Sequence, residues 1–147
     1  LELERMDKFK VFKRVLRSIV PKGKRVIPVL WAERWKKDEI RSRLCAQGIK
    51  RDQSPEYFAA TPSLAGLRLL LSLARLLKLE VQCSDLSNAF VHAGLDEEIY
   101  VEPTDEDRMR AGDMMDKGYV WLLMKALYGL RQTPRVCQKW FTEQMKK

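Results

Sequence analysis

Between Leu3 and Leu16 the apolar residues Leu3, Met6, Phe9, Phe12 and Leu16 recur at three- and four-residue steps, the signature of one face of an amphipathic helix. Pro21 and Gly23 end that pattern. The stretches RVIPVLWAERW and IRSRLCAQG are instead rich in β-branched and aromatic residues, and they flank the charged turn KKDE. This predicts an antiparallel hairpin carrying Arg34, Lys36, Lys37, Arg41 and Arg43. Proline cannot donate to a strand ladder, so Pro28 places the first strand at an edge or a bulge. Residues 50–61 read as a loop. Thr61 then offers an N-cap oxygen and Pro62 suits a first helical turn. The following LAGLRLLLSLARLL is apolar nearly all round, which predicts a buried helix packed against a sheet.

Further along, LEVQCSDLS alternates Leu79, Val81 and Cys83 with Glu80, Gln82 and Ser84, the period of a half-buried strand that ends at Asp85. NAFVHAG is a short helical or turn segment, and EEIYVEP a second short strand. The acidic stretch from Asp105 to Asp116 reads as a solvated loop, including Glu106, Asp107 and Asp113. YVWLLMKALYGL supplies a third apolar strand that turns at Gly129. Thr133 and Pro134 repeat the cap-plus-proline pattern and open a last helix through Trp140 and Phe141. This order makes an α+β fold: an antiparallel sheet with helices packed on one face.

The chain has 147 residues, which is one domain's worth, and 46% hydrophobic with 33% charged residues can bury a core. The longest apolar run, Leu67 to Leu77, is broken by Arg68 and Arg75, short of the roughly 20 apolar residues of a membrane span. No membrane partner is expected. The opening LELERMDKFK is not Met-initiated and has no apolar stretch of signal-peptide type, so a fragment of an intracellular protein, cytoplasmic or nuclear, is the expectation. Cys45, Cys83 and Cys137 form no Cys-x-x-Cys pair and read as reduced, mostly buried thiols; His92 has no ligand partner near it in sequence.

Charge is distributed unevenly. Residues 1–53 carry 16 basic and 7 acidic side chains, residues 85–118 carry 3 and 10, and residues 119–147 carry 6 and 1, within a net +8. A positive surface facing a polyanion makes nucleic acid the leading partner class. The alternative is that these lysines and arginines solvate helix and strand exteriors.

Asp85 is the most chemically suggestive residue, because a carboxylate where a strand runs out can meet a divalent ion. Mg²⁺ keeps several waters and takes one or two carboxylates plus substrate phosphates, so one Asp is half a site. The competing reading is a local cap or Asx-turn.

Taken together, RSRLCAQG (41–48), FAATPSLAGLRLLLSLA (58–74), CSDLSNAF (83–90), LDEEIYVEP (95–103) and KALYGLRQTPR (125–135) resemble the fingers and palm of copia-type LTR-retrotransposon reverse transcriptases. The resemblance runs from Val26 to Phe141 and is most specific in its last two segments. It implies part of a right-hand polymerase: a segment 1–20 formed by the N-terminal helix, fingers at 21–62 and a palm part at 63–147. It further implies that Asp85 is the first metal-binding aspartate, with the Leu86 carbonyl as a second ligand of Mg²⁺. Phe90 takes the place of the aromatic ring under the incoming sugar, which excludes a 2′-hydroxyl; as an isolated residue it reads equally as core. Arg43 and Arg41 match the position that grips the triphosphate, where a guanidinium binds two phosphate oxygens; the alternative is a solvated strand face. Gly129, Leu130, Arg131, Gln132 and Pro134 match the segment beside the nascent base pair and template, with Gln132 able to hydrogen-bond an edge or backbone group and Arg131 and Arg135 meeting phosphates; the alternative for each is a surface residue of a helix start. Trp31 and Trp35 read as hairpin aromatics, with base stacking as the alternative.

The departures are specific too. The family supplies two more aspartates on a Tyr-x-Asp-Asp hairpin, and this sequence contains none. Cys137 stands where the family usually has Trp, and Cys45 and Gln47 replace common Val and Lys or Arg. Two-metal phosphoryl transfer needs several converging carboxylates. The expectation is therefore a reverse transcriptase fragment of a Pol polyprotein that also carries integrase and RNase H. Its partners would be template, primer and deoxynucleotides, and it would be inactive by itself. The alternatives are a non-catalytic basic nucleic-acid-binding module or a degenerate transposon relic.

Overall fold

The computed structural model describes residues 2–48, 59, 61–86, 88–110, 112 and 118–146. Four strands form one sheet in the order β1 (Phe12–Leu16), β6 (Tyr119–Lys125), β5 (Gly94–Val101), β2 (Val26–Ile27). β1 and β5 run antiparallel to β6, and β2 runs parallel to β5. A second sheet is the hairpin β3 (Val29–Lys36) and β4 (Glu39–Ala46). The helices are α1 (Glu2–Lys8), α2 (Leu64–Leu76), α3 (Asp105–Arg110) and α4 (Thr133–Met145). Antiparallel-rich sheets with separate helices are the α+β class expected.

The hairpin follows the sequence pattern closely. Trp35 pairs with Ile40 and Lys36 with Glu39, so Lys37 and Asp38 form the turn, with Lys37 in the left-handed region. Pro28 separates β2 from β3 and is the junction at which the chain leaves one sheet for the other.

The N-terminal pattern does not make one long helix. α1 ends at Lys8, and residues 12–16 are strand β1. Lys10 adopts φ 52°, the Val11 N–H donates to the Met6 carbonyl and the Lys10 N–H to the Asp7 carbonyl. Those two bonds are a Schellman stop, and Val11 and Met6 both enter the core, supplying its usual apolar contact. The Phe9, Phe12 and Leu16 spacing imitates a helix, but Phe12, Arg14 and Leu16 sit opposite Leu123, Trp121 and Tyr119 in a ladder.

That ladder carries the core. Trp121 is fully buried and stacks on Phe12 with ring centres 4.0 Å apart. Leu3, Met6, Leu44, Ile99, Val101 and Leu127 join it. Within it lies Asp107, 1% exposed, so the acidic stretch is not wholly a solvated loop: α3 turns this one carboxylate inward. Asp107 accepts from Arg14 Nε (3.0 Å), Trp121 Nε1 (2.8 Å) and Tyr119 Oη (3.1 Å), and from Arg14 Nη2 as well. Four donors on one buried carboxylate explain its burial, because an unpaired buried charge would be costly. Asp113 and Asp116 lie outside the described residues.

The leucine-rich helix is the largest departure. α2 forms, but Ser63 rather than Thr61 caps it, accepting from the Gly66 N–H at 3.0 Å. Of its residues only Ala74 is buried, and Leu69, Leu70 and Leu76 are 70%, 60% and 76% exposed. The expected strand from Leu79 to Asp85 is irregular and exposed, with Leu79 and Val81 each at 60%. Among the described residues this segment joins neither sheet, so its alternating face meets no ladder partner. The last helix starts one residue earlier than its cap pattern suggests: Gln132, not Thr133, is the N-cap, and the buried Thr133 hydroxyl donates to the Leu127 carbonyl at 2.6 Å.

Candidate functional site

An open cleft of about 1120 Å³ runs along β4, and Arg41, Arg43, Asp85, Leu86 and Phe90 all line it. These residues come from three places. Arg41 and Arg43 are two apart on β4, so alternation puts both guanidinium groups on one face. Asp85 and Leu86 lie on the irregular segment after α2, and Phe90 on the 3-10 turn Ala89–His92. Asn88 enters that turn at φ 55°, a conformation its short polar side chain tolerates. Asp85 is thus not at a strand end: it is exposed and lines the cleft that holds the arginines.

The cleft wall is built by a backbone junction between the hairpin and the turn after β6. The Ala46 N–H donates to the Tyr128 carbonyl at 2.7 Å, and Cys45 and Tyr128 make a parallel bridge. Gly129, at φ 83°, lies so near that a Cβ there would collide with the Ala46 carbonyl oxygen; one on Gly48 would come within 2.7 Å of the Gly129 oxygen. Glycine is required at this junction by a contact inside the chain. The Tyr128 ring meets Phe90 edge-on with centroids 4.9 Å apart, and the Arg43 guanidinium lies over it at 5.3 Å. Burial pushes the Cys45 thiol up from its ordinary value, with the Arg43 charge opposing.

The remaining expected site residues gather elsewhere. Gln132 is 6% exposed, and its Nε2 donates to Glu97 Oε1 at 2.6 Å. Arg135 pairs with Asp96. The β5–β6 register shifts between Gly94 and Ile99, which takes Asp96 and Glu97 out of the regular ladder and toward the start of α4. Arg131 is half-buried near that start. Neither Gln132, Arg131 nor Arg135 lines the cleft.

Among the lining residues that sequence reasoning did not assign to a site are Tyr128, Asn88 and Glu33, and Glu106, read there as part of a solvated loop, lines the cleft as well. Tyr128 stands inside KALYGLRQTPR, so its motif was visible but its role depends on a contact with β4. Glu106 accepts from Trp31 Nε1 at 3.3 Å, and Glu33 from the Ser42 hydroxyl at 3.2 Å.

Mg²⁺ needs oxygen donors that converge. Among the described residues no three His, Cys, Asp or Glu side chains gather in a group that could hold a metal ion. Asp85 belongs to no such group, so the described residues do not constitute a complete two-metal centre. Among the described residues, no helix is long and apolar enough to cross a membrane.

The model of the family described as reverse transcriptase (RNA-dependent DNA polymerase) matches residues 10–147. The Retrovirus-related Pol polyprotein from transposon TNT 1-94 of Nicotiana tabacum is 36% identical over 143 residues, covering 91% of this chain and 10% of that protein. The corresponding polyproteins from transposons RE2 and RE1 of Arabidopsis thaliana are each 29% identical over 113 residues, 72% of this chain and 7% of theirs. The chain therefore spans about a tenth or less of the curated relatives' length. No solved structure matches it significantly. With a family match that leaves out only the first nine residues, the chain belongs to the reverse transcriptase (RNA-dependent DNA polymerase) family, in its copia-type branch.

Proposed function

We propose that this chain is the fingers and part of the palm of a copia-type reverse transcriptase, acting inside the cell as part of a Pol polyprotein that also carries integrase and RNase H. In this reading residues 21–62 are the fingers and 63–147 the palm part, preceded by 1–20. The cleft receives the triphosphate end of an incoming deoxynucleotide. Arg41 and Arg43 hold phosphate oxygens, where a guanidinium fork gives two parallel charge-assisted hydrogen bonds. Phe90 lies under the sugar, and Asp85 with the Leu86 carbonyl furnishes one side of a magnesium site. Gly129, Arg131, Gln132 and Arg135 shape the surface that meets template and primer, with Arg135 and Gln132 held by Asp96 and Glu97.

A single observation carries this reading. Positions 41 and 43 and positions 85, 86 and 90, from two stretches about 40 residues apart, line one cleft. Residues 1–147 contain one such aspartate and no Tyr-x-Asp-Asp, and the expectation in this reading is that the isolated chain does not polymerise. In primer extension, purified 1–147 should be indistinguishable from its Asp85→Ala variant; extension above that control refutes the inactivity. Binding of dATP should weaken in Arg41→Ala and Arg43→Ala, and unchanged binding removes the triphosphate assignment.

The net +8 and the exposed Arg34, Lys36, Lys37, Arg41 and Arg43 of the hairpin favour a second reading, a non-catalytic nucleic-acid-binding module. Its affinity for an oligonucleotide should fall steeply with added salt as counterions compete. A flat salt response excludes it.

A further inference from the structure

Tyr128 stands between the two parts of the cleft that the nucleotide reading treats separately. Its carbonyl accepts from Ala46 of the hairpin, one ring edge-to-face contact reaches Phe90, and its π-face carries the Arg43 guanidinium. Both the main chain and the side chain of Tyr128 are therefore fixed relative to β4. We propose that Tyr128 is a positioning residue that locks the distance between Arg43 and Phe90, and that this lock sets the preference for deoxynucleotides over ribonucleotides. The inference rests on the nucleotide reading of the cleft.

The physical reason is that steric exclusion needs two fixed points. A ring beneath the sugar rejects a 2′-hydroxyl only if the ring cannot turn aside and the triphosphate cannot slide. Phe90 sits on a 3-10 turn of four residues and is only partly buried, so the turn by itself leaves its ring room to yield. Packing against the Ala93, Ala126 and Val136 cluster holds one side of the ring, and the edge-to-face contact with Tyr128, a geometry aromatic pairs favour, adds a restraint from the side of β4. Arg43 is an exposed side chain with several rotatable bonds, and among the described residues it forms no ion pair. Stacking over Tyr128 holds its planar fork in one place before phosphate arrives, which reduces the ordering cost of binding. One ring thus orders both the group that anchors the phosphates and the group that senses the sugar.

The test is binding of dATP and ATP to the full 147-residue chain in metal-free buffer with EDTA, which isolates the contribution of the side chains. Wild type should prefer dATP. Tyr128→Phe keeps the ring and should retain that preference. Tyr128→Ala should bind dATP about fivefold more weakly and bring ATP to within about twofold of dATP. A Tyr128→Ala variant that keeps its preference, or a Tyr128→Phe variant that loses it, overturns the proposal. Because Tyr128→Ala removes a packed ring, Tyr128→Leu provides the second arm: it keeps volume without a π-face. Its loss of dATP affinity should be non-additive with Arg43→Ala, and additive losses also overturn the proposal. If wild type binds neither nucleotide, or Arg43→Ala binds both normally, the cleft reading itself fails and this inference with it.

Discussion

Two apolar regions of similar sequence strength end in opposite environments. In the β1–β6–β5 sheet, Trp121, Val120 and Val101 are completely buried. Along α2 and the segment after it, Leu69, Leu76, Leu79 and Val81 are at least 60% exposed. Hydrophobicity is equal to the task in both places; what differs is the presence of a partner surface. Strand β6 is flanked by β1 and β5, and Leu3 and Met6 of α1 join its core cluster, whereas no described element packs extensively against α2. An apolar residue stabilises only to the extent that something removes it from water, at about 25 cal/mol per Å².

The sharpest way to break the contrast is to hollow out the closed region. Trp121→Ala should destabilise the chain by about 3–5 kcal/mol, from lost transfer energy and the cavity left beside Phe12. Urea unfolding measures it, and a loss under 1 kcal/mol would show that the stack is not central. Next in size is Asp107→Asn, expected to cost about 2–4 kcal/mol because Arg14 loses its charged partner in a partly buried place. Gly129→Ala follows at about 2 kcal/mol or more, through the positive φ and the collision with the Ala46 carbonyl; the same denaturation assay reads it.

Asp107 and Tyr119 also give the closed region a pH signature. Burial pushes the Asp107 carboxyl up, but hydrogen bonds from Arg14 and Trp121 and the Arg14 charge pull it, on balance, below the ordinary carboxylate value. With the folded value the lower one, this stabilisation is complete above about pH 3.9 and is lost as pH falls through the folded value. Tyr119 is pushed up to about 12, first by burial and then by the neighbouring Asp107 charge and hydrogen bond. Its stabilisation is complete below about pH 10 and disappears as pH rises through the folded value. Thermal melts should therefore decline at both ends. Asp107→Asn should flatten the acid limb and Tyr119→Phe the alkaline one; limbs that persist in both variants refute the assignment.

What could be read from the sequence divides along the same line. The hairpin was legible because its strand composition and KKDE turn are local, and β6 because its apolar run is long. β1 was not, since Phe9, Phe12 and Leu16 fall at helical spacing and the stop is a left-handed Lys10 in place of the usual glycine. Asp107 looked like one acid among several, because Arg14, which identifies it, lies 93 residues away. For α2 the helix was legible and its burial was not, since burial belongs to the pair of surfaces. In the cleft, the resemblance supplied Asp85, Arg43 and Phe90, while Tyr128 became visible only through its contacts across the fold.

The smallest expected effect sharpens the contrast most directly. Leu69→Gln and Leu70→Gln sit on α2 at positions 70% and 60% exposed, with helix propensity almost unchanged. In the structure described, each should alter the free energy of unfolding by no more than about 0.5 kcal/mol, as surface substitutions do. Read beside Trp121→Ala in the same buffer, the expected difference between the regions is several-fold. A loss of about 2 kcal/mol or more at either leucine would mean that the face is covered in solution, since only burial gives a single leucine that weight. The slope of free energy against urea separates the two cases further: it follows the surface newly exposed on unfolding, and an α2 already open to water adds little to it.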